Sequence, residues 1–394
     1  MKVATILNQF LFEVTPSMHK VRRKSLNAMV TSLISGAHLS VTGLGRHIKS
    51  ATSEKHQIKR SMRLCSNPHL YSEVNSIYSF TARQLVGMQK QPIILVDWSD
   101  LDPRKQHFLF RASIAVEGRS LTLYEKVYGV DEKEKPVTHQ DFMLTLKAML
   151  PDACKPIIVS DAGFRVPWFE LVESLGWDFV GRVRNKTMCR KPCEPEWSLI
   201  KTLYQHACVT PVDLGRYLLR RKDSFECCFV AYKQKGKGRK KLTATGERAR
   251  RSSNSLSNAS REQEPWLLAT SLPTNSARKI ANIYKTRMQI EESFKDLKTG
   301  LNFNESNTRT YRYLSVLLLL AMLAQYVLFL LGMAVKLSKQ HLRYQANSIK
   351  TKAVLSYQFI GLRAFKDRYL KLRKADWHRA KLKIQELMQE SLNV

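Results

Sequence analysis

Acidic residues are scarce in this chain: 33 Asp and Glu stand against 65 Lys and Arg, a formal charge of +32 over 394 residues. The first ninety-two residues hold thirteen Lys/Arg, three Glu and no Asp. Such a deficit describes partners rather than fold, and it points to a polyanion. Because the positive charge is spread along the chain, nucleic acid is the better match than a membrane surface. Cysteine is also sparse, with seven in the whole chain, so no disulfide framework is implied. Five of them (Cys189, Cys193, Cys208, Cys227, Cys228) gather near His206, but their spacing is a poor match to a zinc site. Ordinary buried thiols in a reducing cytosol are the expectation. Also absent are a signal-peptide order at the N-terminus, a Walker A segment and any serine or cysteine triad, so ATP is not implied.

Long, strongly apolar runs are absent but for one, Tyr313 to Val335, which is 23 residues without a charge and could span a bilayer. Gln325 at its centre, and its solitude, favour a helix buried on all sides in a large domain.

Residues 1–88 read as helical and basic. Val41, Leu44, Gly45 and Ile48 mark one apolar face; after a polar turn at Lys49 to Ser53, Ile58, Met62 and Cys65 mark a second. Lys55, Lys59 and Arg63 recur on the far side of that second helix, the pattern of a helix-turn-helix-like DNA reader; a plain helical bundle shares it. From residue 92 three strands follow, PIILVDWSD, HFLFRASIAV and RSLTLYEKVYGV, the last two joined by a tight turn at Glu117–Gly118. A helix near Gln140 to Leu150, the strand KPIIVSD, a helix near Trp168 to Leu175 and the strand WDFVGRVR continue the chain. Such an order predicts an α/β fold, a mixed sheet flanked by helices. Residues 185–265 interrupt it with short strands and a basic tract from Lys233 to Glu264, read as a solvated loop or a backbone-tracking arm. The strand WLLATSL and one long helix from about Ser276 through Leu301 resume the core, and residues 341–394 read as a basic helical region.

Two apolar runs end alike, Pro92 to Asp97 and Pro156 to Asp161. An apolar strand ending in Asp places a carboxylate at the boundary of a buried sheet. Asp100 and Asp102 lie beyond the first run and read as capping or surface residues. In the segment YKTRMQIEESFKDLK, a uniform helix puts Tyr284, Arg287, Glu291 and Lys298 within an arc of roughly 60°. An apolar stripe runs beside them, and Glu292 points away. Three carboxylates gathered at one sheet end would repel one another without a divalent cation, so Asp97, Asp161 and Glu291 are candidate ligands for Mg²⁺.

On these residues the chain resembles the DDE transposases of bacterial insertion sequences that carry a Y-R-E-K signature, the group of the Tn-ten and Tn-five transposases. Tyr284, Arg287, Glu291 and Lys298 meet the signature, and LVDWSD, GRSLTLYEK, IVSDAGF and YxxRMQIEE bring it closest to the Tn-ten branch. The resemblance implies an RNase H-like catalytic core over 89–184 and 266–340, with a β-rich insertion at 185–265 and an N-terminal DNA-binding domain at 1–88. It implies Asp97, Asp161 and Glu291 as catalytic carboxylates holding two Mg²⁺ ions, with Mn²⁺ as a substitute. Tyr284, Arg287 and Lys298 would contact phosphate near the cleaved end. Trp266, which opens the strand before the signature helix, matches a Trp that stacks near a flipped base, though a core Trp in a strand would look the same. The expected activity is cut-and-paste transposition through a hairpin intermediate. Its substrates would be double-stranded terminal inverted repeats and target DNA, handled by a homodimer in the bacterial cytoplasm at the nucleoid. It also favours the buried reading of residues 313–335, so no membrane is expected. A catalytically inactive DNA-binding repressor of transposition is the alternative.

Overall fold

The computed structural model describes residues 3–184, 187–234, 264–274, 276–345 and 355–393. Most of the basic tract expected as a loop or arm (235–263) lies outside the described residues. The chain forms two units, Met1–Cys154 with Met288–Ser391, and Lys155–Arg287 with Leu392–Val394.

The first unit opens with helices α1 (Val3–Val14), α2 (Lys20–Ile34), α3 (Val41–Arg46), α4 (Glu54–Cys65) and α5 (Pro68–Val86). Local chemistry sets their starts: the Ser40 hydroxyl accepts the Gly43 N–H at 3.0 Å, and Asn67 accepts that of Leu70 at 2.9 Å, ahead of Pro68. The α3–α4 pair falls where the apolar spacing puts it. Gly45 is required there, since a Cβ would lie 2.6 Å from the Ile58 Cα. One marker is corrected: Met62 is exposed, and the buried face of α4 is Gln57, Ser61, Leu64 and Cys65.

Three strands follow as an antiparallel meander, β1 (Ile93–Asp100), β2 (His107–Ala115) and β3 (Ser120–Gly129). β2 is buried along its whole length, as expected of a strand with neighbours on both edges. The β2–β3 turn falls at Glu117–Gly118, with Gly118 at φ +70°, where glycine carries no Cβ penalty. Helix α6 (Pro136–Met149) supplies His139, whose Nε2 accepts the Trp98 indole N–H at 3.2 Å. Trp98 in turn stacks on Phe110 with centroids 4.2 Å apart. Burial pulls the His139 pKa from 6.5 down to about 4. The neutral ring is therefore native, and protonation is easier in the unfolded chain. Stability is complete above pH 6.5 and falls as pH drops towards 4, by up to about 3 kcal/mol. Urea midpoints at pH 7.5 and 5 should show about 2 kcal/mol of that loss, and His139→Phe should remove most of its slope.

The uncharged run forms α10 (Tyr311–Leu337; α7 to α9 are given below), and 94% of its most apolar window is buried inside the protein. It packs on α2, α5 and β3, and on α11 (Tyr357–Lys366). Helix α12 (Lys374–Asn393) follows.

The second unit holds β4 (Ile157–Ser160), α7 (Val166–Ser174) and β5 (Asp178–Arg182), with β4 and β5 parallel. β6 (Met188–Arg190), β7 (Ser198–Leu199), β8 (Val212–Leu219), β9 (Phe225–Tyr232) and β10 (Trp266–Thr270) extend the sheet antiparallel, β10 lying between β5 and β9. The sheet is thus mixed, as the alternation of elements predicts, and the short strands of the interruption pair into it. Helix α8 (Ala277–Lys285) starts at Ser276, whose hydroxyl accepts the Lys279 N–H at 3.3 Å.

Candidate active site

Helix α9 (Met288–Lys295) belongs to the first unit and runs into a π-helical turn, Asp296–Gly300. The expected single helix from Ser276 through Leu301 is therefore corrected. It breaks at Thr286–Arg287 and widens after Lys295, so a uniform ~100° per residue does not carry from Tyr284 to Lys298.

In the first unit, Ile93–Val96 of β1 are buried and burial falls at Asp97. The strand itself runs on to Asp100, because Trp98, Ser99 and Asp100 pair with Phe110, Leu109 and Phe108. What ends at Asp97 is the buried face, and Asp100, read as a capping or surface residue, is a paired strand residue. Asp97 Oδ1 accepts the Trp98 N–H at 2.8 Å. Asp97 lies directly opposite Arg111, and Arg111 directly opposite Glu125. Residues so opposed share one face of a sheet. Arg111 Nη1 donates to the Ser293 hydroxyl of α9 at 2.9 Å, so Asp97 lies on the face that α9 covers. Half-buried Glu291 sits on that same helix.

Further bonds seat α9 on the β2–β3 hairpin. Gln289 Oε1 accepts the Val116 N–H at 2.9 Å, and Arg119 meets Asp296 at 2.7 Å and Glu292 at 3.5 Å. Glu292 is thus engaged at the hairpin. Lys298, in the π turn, is half-buried; burial and the Arg111 charge push its pKa down, while Asp100 pulls it up. Asp100 also faces Lys105 at 3.9 Å and Lys133 at 4.0 Å, whereas Asp102 caps a turn by accepting the His107 N–H at 2.8 Å.

In the second unit, Asp161 follows β4 directly, and its Oδ1 accepts the Gly163 N–H at 2.8 Å. Ser160 pairs with Gly181, so the next residue of β5, Arg182, stands beside Asp161 at the carboxyl ends of two parallel strands. That end of a parallel pair is where α/β proteins place ligands. Tyr284 is 3% exposed, and its ring meets Trp266 edge-on with centroids 4.8 Å apart. Burial raises the Tyr284 pKa and the Asp161 charge adds to that; Arg287 and Arg182 oppose it. The Arg287 guanidinium lies 5.9 Å from the Tyr284 ring. Half-buried Trp266 opens β10, where Tyr232 is its cross-strand partner.

Arg182 escaped the sequence reading. Its Nη2 donates to the carbonyls of Glu264 at 3.2 Å and Pro265 at 3.3 Å, just ahead of Trp266. Burial lowers its pKa. The signal was a cation at the end of an apolar strand, at the same place as Asp161 on its neighbour.

Lys55, Lys59 and Arg63 are all exposed on α4. Of the clustered cysteines, Cys189 and Cys227 are buried but Cys193 and Cys208 are exposed, which corrects the expectation of buried thiols throughout. Within either unit, no group of three or more His, Cys, Asp or Glu is gathered for a metal among the described residues. Asp97 and Glu291 belong to one unit and Asp161 to the other. Their chemistry suits Mg²⁺ or Mn²⁺, which take hard oxygen donors, and all three are only partly buried, within reach of solvent.

A family described as the transposase DDE domain matches residues 88–327. No curated protein matches the chain.

Proposed function

The chain belongs to the transposase DDE domain family, whose catalytic core is RNase H-like, and on that premise we propose that it moves a bacterial insertion sequence by cut-and-paste transposition. In this reading it is a Y-R-E-K transposase nearest the Tn-ten branch. One observation supports it most: Asp97 lies on the sheet face covered by the helix that carries Glu291. A strand-end carboxylate and a helical one, both at the edge of burial, suit a cation facing solvent-borne DNA.

Asp97, Asp161 and Glu291 would hold the divalent ions, two in this proposal. When bound, these supply charge stabilisation at the attacking and leaving oxygens of a phosphodiester. The chain's own groups hold the DNA. Arg287, with Tyr284 beside it, is suited to grip a phosphate as a fork, and Lys298 to hold one as a point charge. Trp266 offers an indole to an extruded base. Water attacks the element's end, and the freed 3′-hydroxyl attacks the opposite strand to close a hairpin. After the hairpin is reopened, the same hydroxyl attacks target DNA. Each step is an in-line displacement at phosphorus, so one set of carboxylates serves all of them. ATP has no role in it, and a pair of subunits would hold the two ends.

Residues 1–88 would read the inverted repeats, with Lys55, Lys59 and Arg63 on the backbone. Replacing all three by Ala should flatten the salt dependence of end binding by roughly 0.9 in log–log slope for each phosphate that is no longer neutralised. Binding isotherms over a range of salt check this.

The reading is tested by incubating the protein with DNA that carries the repeats flanking its gene. Nicks at the repeat ends, only with Mg²⁺ or Mn²⁺ present, are expected. Tight end binding with no nick in either metal overturns it in favour of an inactive repressor.

A further inference from the structure

β2 is buried from end to end, yet it carries an arginine, and Arg111 is 0% exposed. Each of its three guanidinium nitrogens has a partner. Nε and Nη2 hold Glu125 Oε2 at 2.7 and 2.6 Å, and Nη1 donates to the Ser293 hydroxyl at 2.9 Å. The plane also lies 4.8 Å from the Phe294 ring. Glu125, itself 5% exposed, receives the Tyr78 hydroxyl on its other oxygen at 2.9 Å. Four elements meet here: α5 through Tyr78, β2 through Arg111, β3 through Glu125, and α9 through Ser293 and Phe294.

A buried ion pair is costly to desolvate, and an apolar pair of similar volume often holds a fold as well or better. Such a pair does supply direction. Arg111 is planar, and with one edge fixed by Glu125 its remaining edge can point only one way. That edge meets α9 at Ser293, two residues after Glu291. Buried Ser293 and half-buried Glu291 lie roughly 160° apart around one rigid helix, so a rotation of α9 that swings Glu291 also carries Ser293 away from Arg111. At its root Arg111 is paired across the strands with Asp97. One side chain thus ties the strand next to Asp97 to the helix of Glu291.

We propose that Arg111 is a positioning residue, which holds α9 through Ser293 in the rotation that presents Glu291 alongside Asp97. This rests on the reading of those two carboxylates as metal ligands. Glu125 and Tyr78 serve the same end by fixing the guanidinium.

Ser293→Ala removes only the hydroxyl, and Arg111→Met with Glu125→Met replaces the ion pair by apolar volume. Mn²⁺ binding to the free protein is followed by electron paramagnetic resonance, and end cleavage at saturating DNA in Mg²⁺ beside it. Both variants should bind Mn²⁺ and cleave 10- to 100-fold less well, the usual effect of losing a group that orients a ligand. End affinity and melting temperature should stay near the parent's, and Ser293→Thr, which keeps the hydroxyl, should recover both losses. Parental Mn²⁺ affinity and cleavage in Ser293→Ala, or in the Met pair, overturns the proposal. Asp97→Ala is run alongside. If it too cleaves and binds Mn²⁺ as the parent does, the carboxylate assignment itself fails, a different result from loss of positioning alone.

Discussion

Asp97→Ala and Glu291→Ala should each bind end-containing DNA with the parent's affinity and fail to cut it, losing on the order of 10³-fold or more in cleavage rate. Both side chains are half-buried at the rim of the core, so removing either should leave the fold in place. The end-reading surface proposed on α4 is untouched. Loss of rate without loss of binding is the mark of an interaction made only in the transition state. Glu292→Ala is the informative neighbour. It forfeits an ion pair with Arg119 at 3.5 Å, worth little at a partly exposed position, and cleavage should stay within about twofold. Cleavage in Mg²⁺ by Asp97→Ala or Glu291→Ala would sink the assignment. A Glu292→Ala variant as dead as Glu291→Ala would mean the wrong member of the pair had been chosen.

The second large effect is on stability. Helices α10 and α11 cross in close contact at two glycines. A Cβ on Gly332 would overlap the backbone carbonyl of Tyr357, and one on Gly361 would overlap that of Leu328. Both obstacles are main-chain atoms within helices or at their ends, which cannot rotate aside as a side chain would. Gly332→Ala or Gly361→Ala must therefore push the two helices apart, opening gaps along the rest of their interface. Overpacking of this kind costs about 1–3 kcal/mol, and more where backbone must move. We expect at least about 3 kcal/mol for either variant, read as a fall in the urea midpoint. Unchanged midpoints would mean that the helices can separate cheaply.

Much of this architecture was legible because apolar runs of strand length are hard to mistake. IILVDWSD, HFLFRASIA and IIVS form strands where their patterns put them, and the α3–α4 pair follows its apolar spacing. The helix break at Thr286–Arg287 was not legible, because the apolar stripe of Ile283, Ile290 and Leu297 continues across it. Periodicity reports which residues are buried, and a stripe can stay buried while the backbone changes its winding. Asp100, expected as a cap or surface residue, is instead the last paired residue of β1, because pairing continues after burial falls off. Arg111 and Arg182 were passed over because a lone cation in an apolar run looks like an exception to the pattern. In this fold Arg111 is held inside by a carboxylate, and half-buried Arg182 is held at the strand end by carbonyl oxygens. The two carboxylates of the first unit stood out because each sits at a visible edge, one where an apolar run stops and one beside an apolar stripe.

Helix α10 has a consequence for synthesis. Its partners α2, α5 and β3 all leave the ribosome before it, and the second unit is made in between. The first unit therefore waits, with an apolar hollow open to water, until Leu337 and then α11 have emerged. Over the same interval the most hydrophobic stretch of the protein is itself a nascent segment with hydropathy 2.5, long enough to be taken for a membrane span. Folding of the first unit is thus completed only once these 27 residues have been made, and until then its core and its most apolar helix are both exposed.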